Sequence, residues 1–527
     1  MTHMLTLADA VATHARLDPH KLAVRDSRRR LTYREWHDRV VRLAAALRGL
    51  GLAKGDRVGV IAHNCLEWME MYAGTARAGL VLVPLNFRLT GAEIAYILGH
   101  AEVTAVIAGE EFCATVDRVR GELPLPPARF VALGERAPAG WTGFEELIAR
   151  GDPARPLEPV HAADIATLMY TSGTTGRPKG AIRSHGANSL IAWATAIEMG
   201  FTAEDTALLV MPLCHANSLY FGTTFAHLGG TCHIEDRKSF DPEALLRTLA
   251  GDRVTFTSLV PTHYIMLLAL PEDVKRRYDL STVGKLMISS APARQDIKLG
   301  IMELFPNGRL YELYGSTEAG WVTLLRPDEQ LRKLGSVGRE WAGSGAIRLL
   351  DAQRREVADG EVGELYSRTS YVFDGYWKNP EKTAEAFDGE WCSVGDMARR
   401  DAEGYLWLVD RKSNMIISGG ENVYPTEVEG ALGQHPAVRD VAVIGLPHEK
   451  WGETAHAIVV LHTGQSASEA ELRQWCRERL AGFKCPSDVT FITDEEMPRT
   501  ATGKIQHRVL RERYSSSLSY DNETRKR

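Results

Sequence analysis

Cysteine is scarce in this chain of 527 residues: seven are present, scattered, odd in number and never spaced as CxxC. That pattern argues against a disulfide framework or a zinc ribbon and fits a reducing compartment. An excess of one charge sign is also lacking, since 62 Lys+Arg against 68 Asp+Glu leave a formal net charge of -6. Such a balance leaves no electrostatic footprint for a nucleic acid. Long apolar runs are missing too, and the most apolar stretch, residues 78–83, is far shorter than a membrane span. The first ten residues have neither the basic nor the apolar region of a signal peptide, so the expectation is a soluble, cytoplasmic protein without integral membrane association. No internal repeat is found at solenoid or propeller periods.

What is present is length and alternation. A chain of 527 residues exceeds the size at which one core keeps growing, so at least two domains are expected. The opening ~110 residues alternate helical and strand patterns, as a layered α/β domain does. Thr32 and Glu35 form a capping-box signature before a helix with Trp36, Val40, Leu43 and Leu47 on one face. Strands are expected at 58–62 and 80–84, and helices at 66–78 and 90–98, which makes a parallel sheet the natural outcome. Residues 123–159 are proline-rich and read as a loop-dominated connection. A boundary is placed at 410–414, where a strand at 405–409 gives way to a charged turn. Beyond it, helices near 426–434 and 468–480 and strands at 438–444, 457–461 and 489–492 make a small α+β domain. The fold class is therefore α/β: a large layered domain with parallel sheets at 1–411 and a small α+β lid domain at 412–527. The polar residues 515–527 lack periodicity and read as a frayed tail.

The most informative segment is Tyr170-Thr-Ser-Gly-Thr-Thr-Gly-Arg-Pro-Lys-Gly180, between two apolar runs. Its glycines let the backbone approach an anion, its Ser and Thr hydroxyls and free N–H groups donate to phosphate oxygens, and Lys179 adds a positive charge. A Walker loop needs Gly-Lys followed by Ser or Thr, whereas Lys179 sits between Pro178 and Gly180, so an ordinary P-loop NTPase is disfavoured. The segment resembles the signature loop of the adenylate-forming enzymes, and further motifs extend that resemblance in order from about Leu7 to Arg508. The ordered set resembles that of the AMP-forming acyl-CoA synthetases, of fatty-acyl or aryl type.

The resemblance implies a role for each matching residue. Thr171, Ser172, Gly173, Thr174, Thr175, Gly176 and Lys179 cradle the ATP phosphates, and Ser290, Ala291 and Pro292 line the nucleotide site. In Tyr314-Gly-Ser-Thr-Glu318, Tyr314 stacks on adenine, Gly315 and Ser316 border the nucleotide, Thr317 contacts the α-phosphate, and Glu318 with Thr174 helps to hold Mg²⁺, a cation that prefers oxygen ligands. Asp396 and Arg411 form the ribose-binding pair. Lys504, in Pro498-Arg-Thr-Ala-Thr-Gly-Lys504, is the catalytic lysine of the mobile C-terminal domain. It bridges the carboxylate of the acid and the α-phosphate, which otherwise repel one another. Ser418, Gly419 and Gly420 border the CoA pantetheine arm. Lys412 and Ser413 fall at the hinge, where relatives usually carry Asp or Lys two positions after the arginine. His215 approaches the acyl pocket, whose walls include Asn217, Gly315 and Trp321.

The reaction implied is attack of a carboxylate on the ATP α-phosphorus, giving acyl-AMP and pyrophosphate, then transfer of the acyl group to CoA. A medium- to long-chain fatty acid is the first expectation for the substrate, with Trp321 shortening the tunnel, and an aryl or alicyclic acid is the alternative. Loading of a carrier protein is a further alternative, as is a non-catalytic nucleotide-binding regulator. An amino-acid-activating domain is disfavoured, because residues 214–217 hold no acid to grip an amino group. The recurrence of Cys and His at 214–215 and 232–233 fits no standard zinc spacing. A homodimer is compatible with this reading.

Overall fold

The computed structural model describes residues 6–171, 177–289, 293–418, 421–448, 450–500 and 503–524, with side chains as far as Ser515. Local chemistry sets the first elements. The Thr32 N–H donates to Glu35 Oε2 at 2.8 Å and the Glu35 N–H to Thr32 Oγ1 at 3.3 Å, so the helix Tyr33–Gly49 begins on a complete capping box. Trp36, Val40, Leu43 and Leu47 are buried along its inner face. The strands Arg57–Ile61 and Val81–Leu85 pair in parallel, joined by the helix Glu67–Ala78.

By packing, the chain divides into two compact units. The first comprises residues 1–347 and 367–392 and holds two large sheets. In one, Val103–Gly109, Arg57–Ile61, Val81–Leu85 and Ile165–Thr171 run parallel, and Lys179–Ser184 turns back antiparallel on the last of them. In the other, Thr206–Leu209, Phe256–Leu259, Lys285–Ser289 and Arg309–Ser316 run parallel, and Gly320–Leu325 closes an antiparallel hairpin. One continuous core joins a face of each sheet through helices that include His185–Met199 and Ala216–Leu228. The outer faces are covered separately, the first by the helices Gly91–His100 and Glu110–Val119 and the second by Pro242–Gly251, Pro261–Leu268 and Gln295–Leu304. The order is helix, sheet, helix, sheet, helix, as expected for parallel strands buried on both faces.

The second unit takes residues 348–366 and 393–527. The sequence reading placed 348–366 and 393–411 with the large domain. In the structure they form a four-stranded antiparallel sheet of Arg348–Leu350, Val362–Tyr366, Asp396–Arg400 and Leu406–Arg411, which packs with the C-terminal residues. A further sheet is built on Val438–His448 and Gly452–Leu461, and its core is shared by Val428, Leu432, Leu472 and Cys476 of the helices Pro425–Leu432 and Glu469–Arg477.

Two local expectations are corrected. The stretch 123–159 contains the strand Phe130–Leu133 and the helix Phe144–Ala149, because the few apolar residues between its prolines are enough to extend a sheet edge. The C-terminus is a helix, His507–Thr524, rather than a frayed tail. His507 Nε2 is 2.6 Å from Glu429 Oε1 and Leu510 is fully buried, so an anchored first turn propagates without apolar periodicity beyond it.

Candidate active site

Parallel strands place their carboxyl ends on one edge of a sheet, where α/β folds build their sites. Three such ends in the first unit carry predicted residues: Thr171, Ser289 beside the predicted 290–292 segment, and Tyr314–Ser316. The hairpin after Tyr314 is tight, with Gly315 opposite Trp321 and Ser316 opposite Gly320. A Cβ on Gly315 would stand 2.3 Å from the Gly320 carbonyl oxygen, so only glycine fits there. Gly320 turns the chain at φ +74°, a left-handed conformation that favours glycine. The hairpin tip therefore consists of Thr317, Glu318 and Ala319, and the Ala319 N–H donates to Ser316 Oγ at 2.9 Å.

Glu318 is buried, and its Oε1 accepts from Thr171 Oγ1 at 3.0 Å and from the Tyr376 hydroxyl at 3.0 Å. Thr171 was predicted and Tyr376 was not. Residues 367–377 stitch this arrangement together. Thr369 Oγ1 donates to the Ala319 carbonyl at 2.7 Å, the Phe373 N–H to the Glu318 carbonyl at 2.8 Å, and the Trp377 N–H to the Gly180 carbonyl at 2.8 Å. Lys179 stands with its ammonium 4.1 Å from the centre of the Tyr376 ring. Tyr376 thus touches both Glu318 and Lys179. No sequence motif singled it out, because its partners lie far away along the chain.

The residues predicted for the acyl wall gather around the helix Ala216–Leu228. Asn217 Nδ2 donates to Ser289 Oγ at 3.0 Å, and Ser289 Oγ is 3.3 Å from Ser258 Oγ. His215 is the N-cap residue of the helix. Trp321 is buried with both polar ends engaged: Nε1 donates to Thr195 Oγ1 at 2.9 Å, and its carbonyl accepts from the Tyr371 hydroxyl at 2.9 Å. Its ring lies 5.2 Å from Tyr220, 5.6 Å from Phe221 and 6.3 Å from Trp341. Cys232 is buried on its strand, and His233 Nδ1 pairs with Asp252 Oδ2 at 2.8 Å. Among the described residues no group of three His, Cys, Asp or Glu side chains could hold a metal ion.

In the second unit, Asp396 and Arg411 face one another across adjacent antiparallel strands, with Arg411 Nε 3.2 Å from Asp396 Oδ1. Lys412 ion-pairs with Glu364 at 2.8 Å, Ser413 is exposed in the following turn, and Ser418 is buried opposite Glu421. The loop that carries Lys504 closes on itself: the Thr500 N–H donates to the Lys504 carbonyl at 2.8 Å and the Lys504 N–H to Thr500 Oγ1 at 3.1 Å. The Lys504 pKa is lowered from the ordinary lysine value, first by the protein atoms packed near its ammonium and then by repulsion from Arg411, with Asp396 opposing, although the residue stays exposed. The predicted Ser172, Gly173, Thr174, Thr175, Gly176, Ser290, Ala291, Pro292, Gly419 and Gly420 lie outside the described residues.

Residues 11–377 match the AMP-binding enzyme family and residues 427–504 match the AMP-binding enzyme C-terminal domain. The chain belongs to the AMP-binding enzyme family of AMP-forming acid–CoA ligases. Within that family it is 38% identical over 505 residues to a feruloyl-CoA synthase from Amycolatopsis sp, covering 95% of this chain and 97% of that one. It is 35% identical over 500 residues to the long-chain-fatty-acid–CoA ligase FadD13 of Mycobacterium tuberculosis, covering 93% and 94%. Its fold is similar to that of the anthranilate CoA ligase AuaEII, solved with anthranoyl-AMP, at a TM-score of 0.87 and 28% identity over 98% of this chain and 99% of that one. No described helix is long and apolar enough to cross a membrane.

Proposed function

We propose that this enzyme activates a compact aryl acid with ATP and passes the acyl group to CoA. The observation that carries the choice of acid is Trp321. Its indole is hydrogen-bonded through Nε1 to Thr195, and its backbone is tied by Tyr371. Tyr220, Phe221 and Trp341 surround the ring, so a long aliphatic tail would have to displace a buried, doubly anchored tryptophan. A flat ring fits an aromatic wall without that cost. Asn217 adds a polar feature, since its Oδ1 is closed to solvent without a hydrogen-bond partner among the described residues. A ring hydroxyl or amino group on the acid would satisfy it. The similarity to a long-chain-fatty-acid ligase supports the fatty-acid reading as the second choice.

In the first half-reaction the acid's carboxylate attacks the α-phosphorus of ATP and pyrophosphate leaves. No protein nucleophile is needed, and catalysis rests on positioning and charge. The Lys504 ammonium offsets the repulsion between carboxylate and triphosphate. Glu318 is an anionic oxygen ligand braced by two hydroxyl donors, which suits Mg²⁺ carried on phosphate oxygens; when bound, the ion would neutralise the charge that builds on the leaving pyrophosphate. Asp396, set by Arg411, accepts from the ribose hydroxyls. In the second half-reaction the CoA thiol attacks the acyl carbon and AMP leaves.

The test is AMP release from a panel of aryl, fatty and amino acids, with and without CoA. CoA-dependent turnover strongest for hydroxy- or aminoaryl acids is expected. Turnover confined to fatty acids would overturn the aryl reading, and adenylation indifferent to CoA would point to another acceptor.

A further inference from the structure

Arg183 ends its journey inside the first unit. It lies on the strand Lys179–Ser184 that follows the phosphate loop, and none of its surface is exposed (0%). Nη1 donates to the Tyr371 carbonyl at 2.7 Å and, more weakly, to the Glu318 carbonyl at 3.5 Å. Nε donates to Asn188 Oδ1 at 3.4 Å, and the guanidinium centre is 5.3 Å from the centre of the Tyr220 ring. Nη2 has no hydrogen-bond partner, and no carboxylate is within ion-pairing distance, among the described residues.

A buried guanidinium without a directly paired carboxylate is a poor stabilising device, since an apolar side chain of similar volume usually serves stability at least as well. Its placement has a clearer meaning. The two carbonyls it holds come from different segments, the hairpin tip that carries Glu318 and the stretch 367–377 that carries Tyr376, and these two side chains are hydrogen-bonded to each other. The Phe373 N–H reaches the same Glu318 carbonyl, so one oxygen atom is gripped from two directions. Asp374, held above the usual carboxylate range by burial with Arg183 opposing, belongs to the same stretch.

We propose that Arg183 is a positioning residue for adenylation, tying the Glu318 main chain to the segment that carries Tyr376 so that the Glu318 carboxylate meets the phosphate-bound cation in one orientation. The inference rests on the role given to Glu318 above. Fixing an anionic ligand in advance removes reorganisation from the chemical step, and small misplacements cost up to about 100-fold in rate.

The experiment compares the full-length enzyme with its Arg183→Lys, Arg183→Met and Glu318→Gln variants. The readouts are acid-dependent ATP–pyrophosphate exchange at several Mg²⁺ concentrations, calorimetric binding of MgATP, and the thermal midpoint. Arg183→Lys, which keeps the charge but is shorter and loses the Nε bond to Asn188 that orients the side chain, is expected to melt within a few degrees of the parent and to bind MgATP. Its kcat for exchange should fall by about tenfold or more, with a raised Mg²⁺ requirement and an unchanged KM for the acid. Arg183→Met should lose more rate than Arg183→Lys. Parental exchange and Mg²⁺ dependence in Arg183→Lys would overturn the proposal. So would a loss of rate that only follows loss of folded protein, including failure of the lysine variant to fold. Parental exchange in Glu318→Gln would instead overturn the role of Glu318 itself.

Discussion

The Tyr376 hydroxyl donates to Glu318 Oε1 at 3.0 Å across 58 positions of sequence, and the same oxygen accepts from Thr171. A carboxylate held by two hydroxyl donors loses its freedom to rotate. Replacing Tyr376 with phenylalanine removes one donor and leaves the ring over which Lys179 sits. Hydrogen bonds to charged groups contribute about 1.5–3 kcal/mol, so adenylation should slow by about 10- to 100-fold with little change in the KM for the acid. Pyrophosphate exchange measured against MgATP and against acid checks this, and an unchanged rate would show that the hydroxyl is idle.

Trp321 closes the proposed acyl wall, and truncating it would open a cavity between Tyr220, Phe221 and Trp341. Trp321→Ala should destabilise the protein by about 3–5 kcal/mol. It should also shift turnover towards longer acids, as the ratio of kcat/KM for a C12 and a C6 acid would show. A variant that folds and still refuses the longer acid would remove Trp321 as the limit on length.

Lys298 and Glu312 form an ion pair at 2.5 Å with almost no exposure, 0% and 2%. Glu312 lies on the strand that delivers Tyr314 to the site, so the pair also supports the position of that strand. Lys298→Met alone should cost about 3–5 kcal/mol, because it leaves a buried carboxylate without its partner. The double variant Lys298→Met with Glu312→Leu should recover most of that loss. Denaturant unfolding of the two variants decides between this and a pair without structural weight.

His185 opens the helix after the strand Lys179–Ser184 and is buried, which lowers its pKa to about 4. The unfolded chain titrates near the ordinary histidine value of about 6.5, so between the two values it binds more protons than the folded protein. The contribution of His185 to stability is therefore complete above about pH 6.5 and is lost as the pH falls towards about 4. Thermal midpoints between about pH 4.5 and 7.5 should decline on the acid side, and His185→Gln should flatten part of that decline. An identical slope in the variant would assign the loss to other groups.

The adenylation chemistry could be recognised by resemblance along the chain because the motifs that carry the resemblance are local. Thr171 to Lys179 and Tyr314 to Glu318 each concentrate hydroxyls, glycines and a charge within a few positions, and the hairpin geometry of the second explains the glycines at 315 and 320. Capping pairs such as Thr32 with Glu35 were equally visible, since both partners fall within one helical turn. Tyr376 and Arg183 were not visible, because each acts on Glu318 from a segment that pairs with it only after the sheets form. The helix after His507 was missed for a similar reason: its first turn is fixed by Glu429, and a run of polar residues carries no sign of such an anchor.

Alone, then, the sequence determined the layered α/β class through its periodicities and, through the resemblance of its ordered local motifs to a known family, the reaction type, because both kinds of signal are short enough to survive without a fold. The tertiary structure decided which residues brace Glu318, how Trp321 is locked into its aromatic cluster, and that residues 348–366 and 393–411 pack with the C-terminal unit. Those outcomes depend on strand pairing and burial between segments remote in sequence, where no local pattern records which partner a side chain will meet.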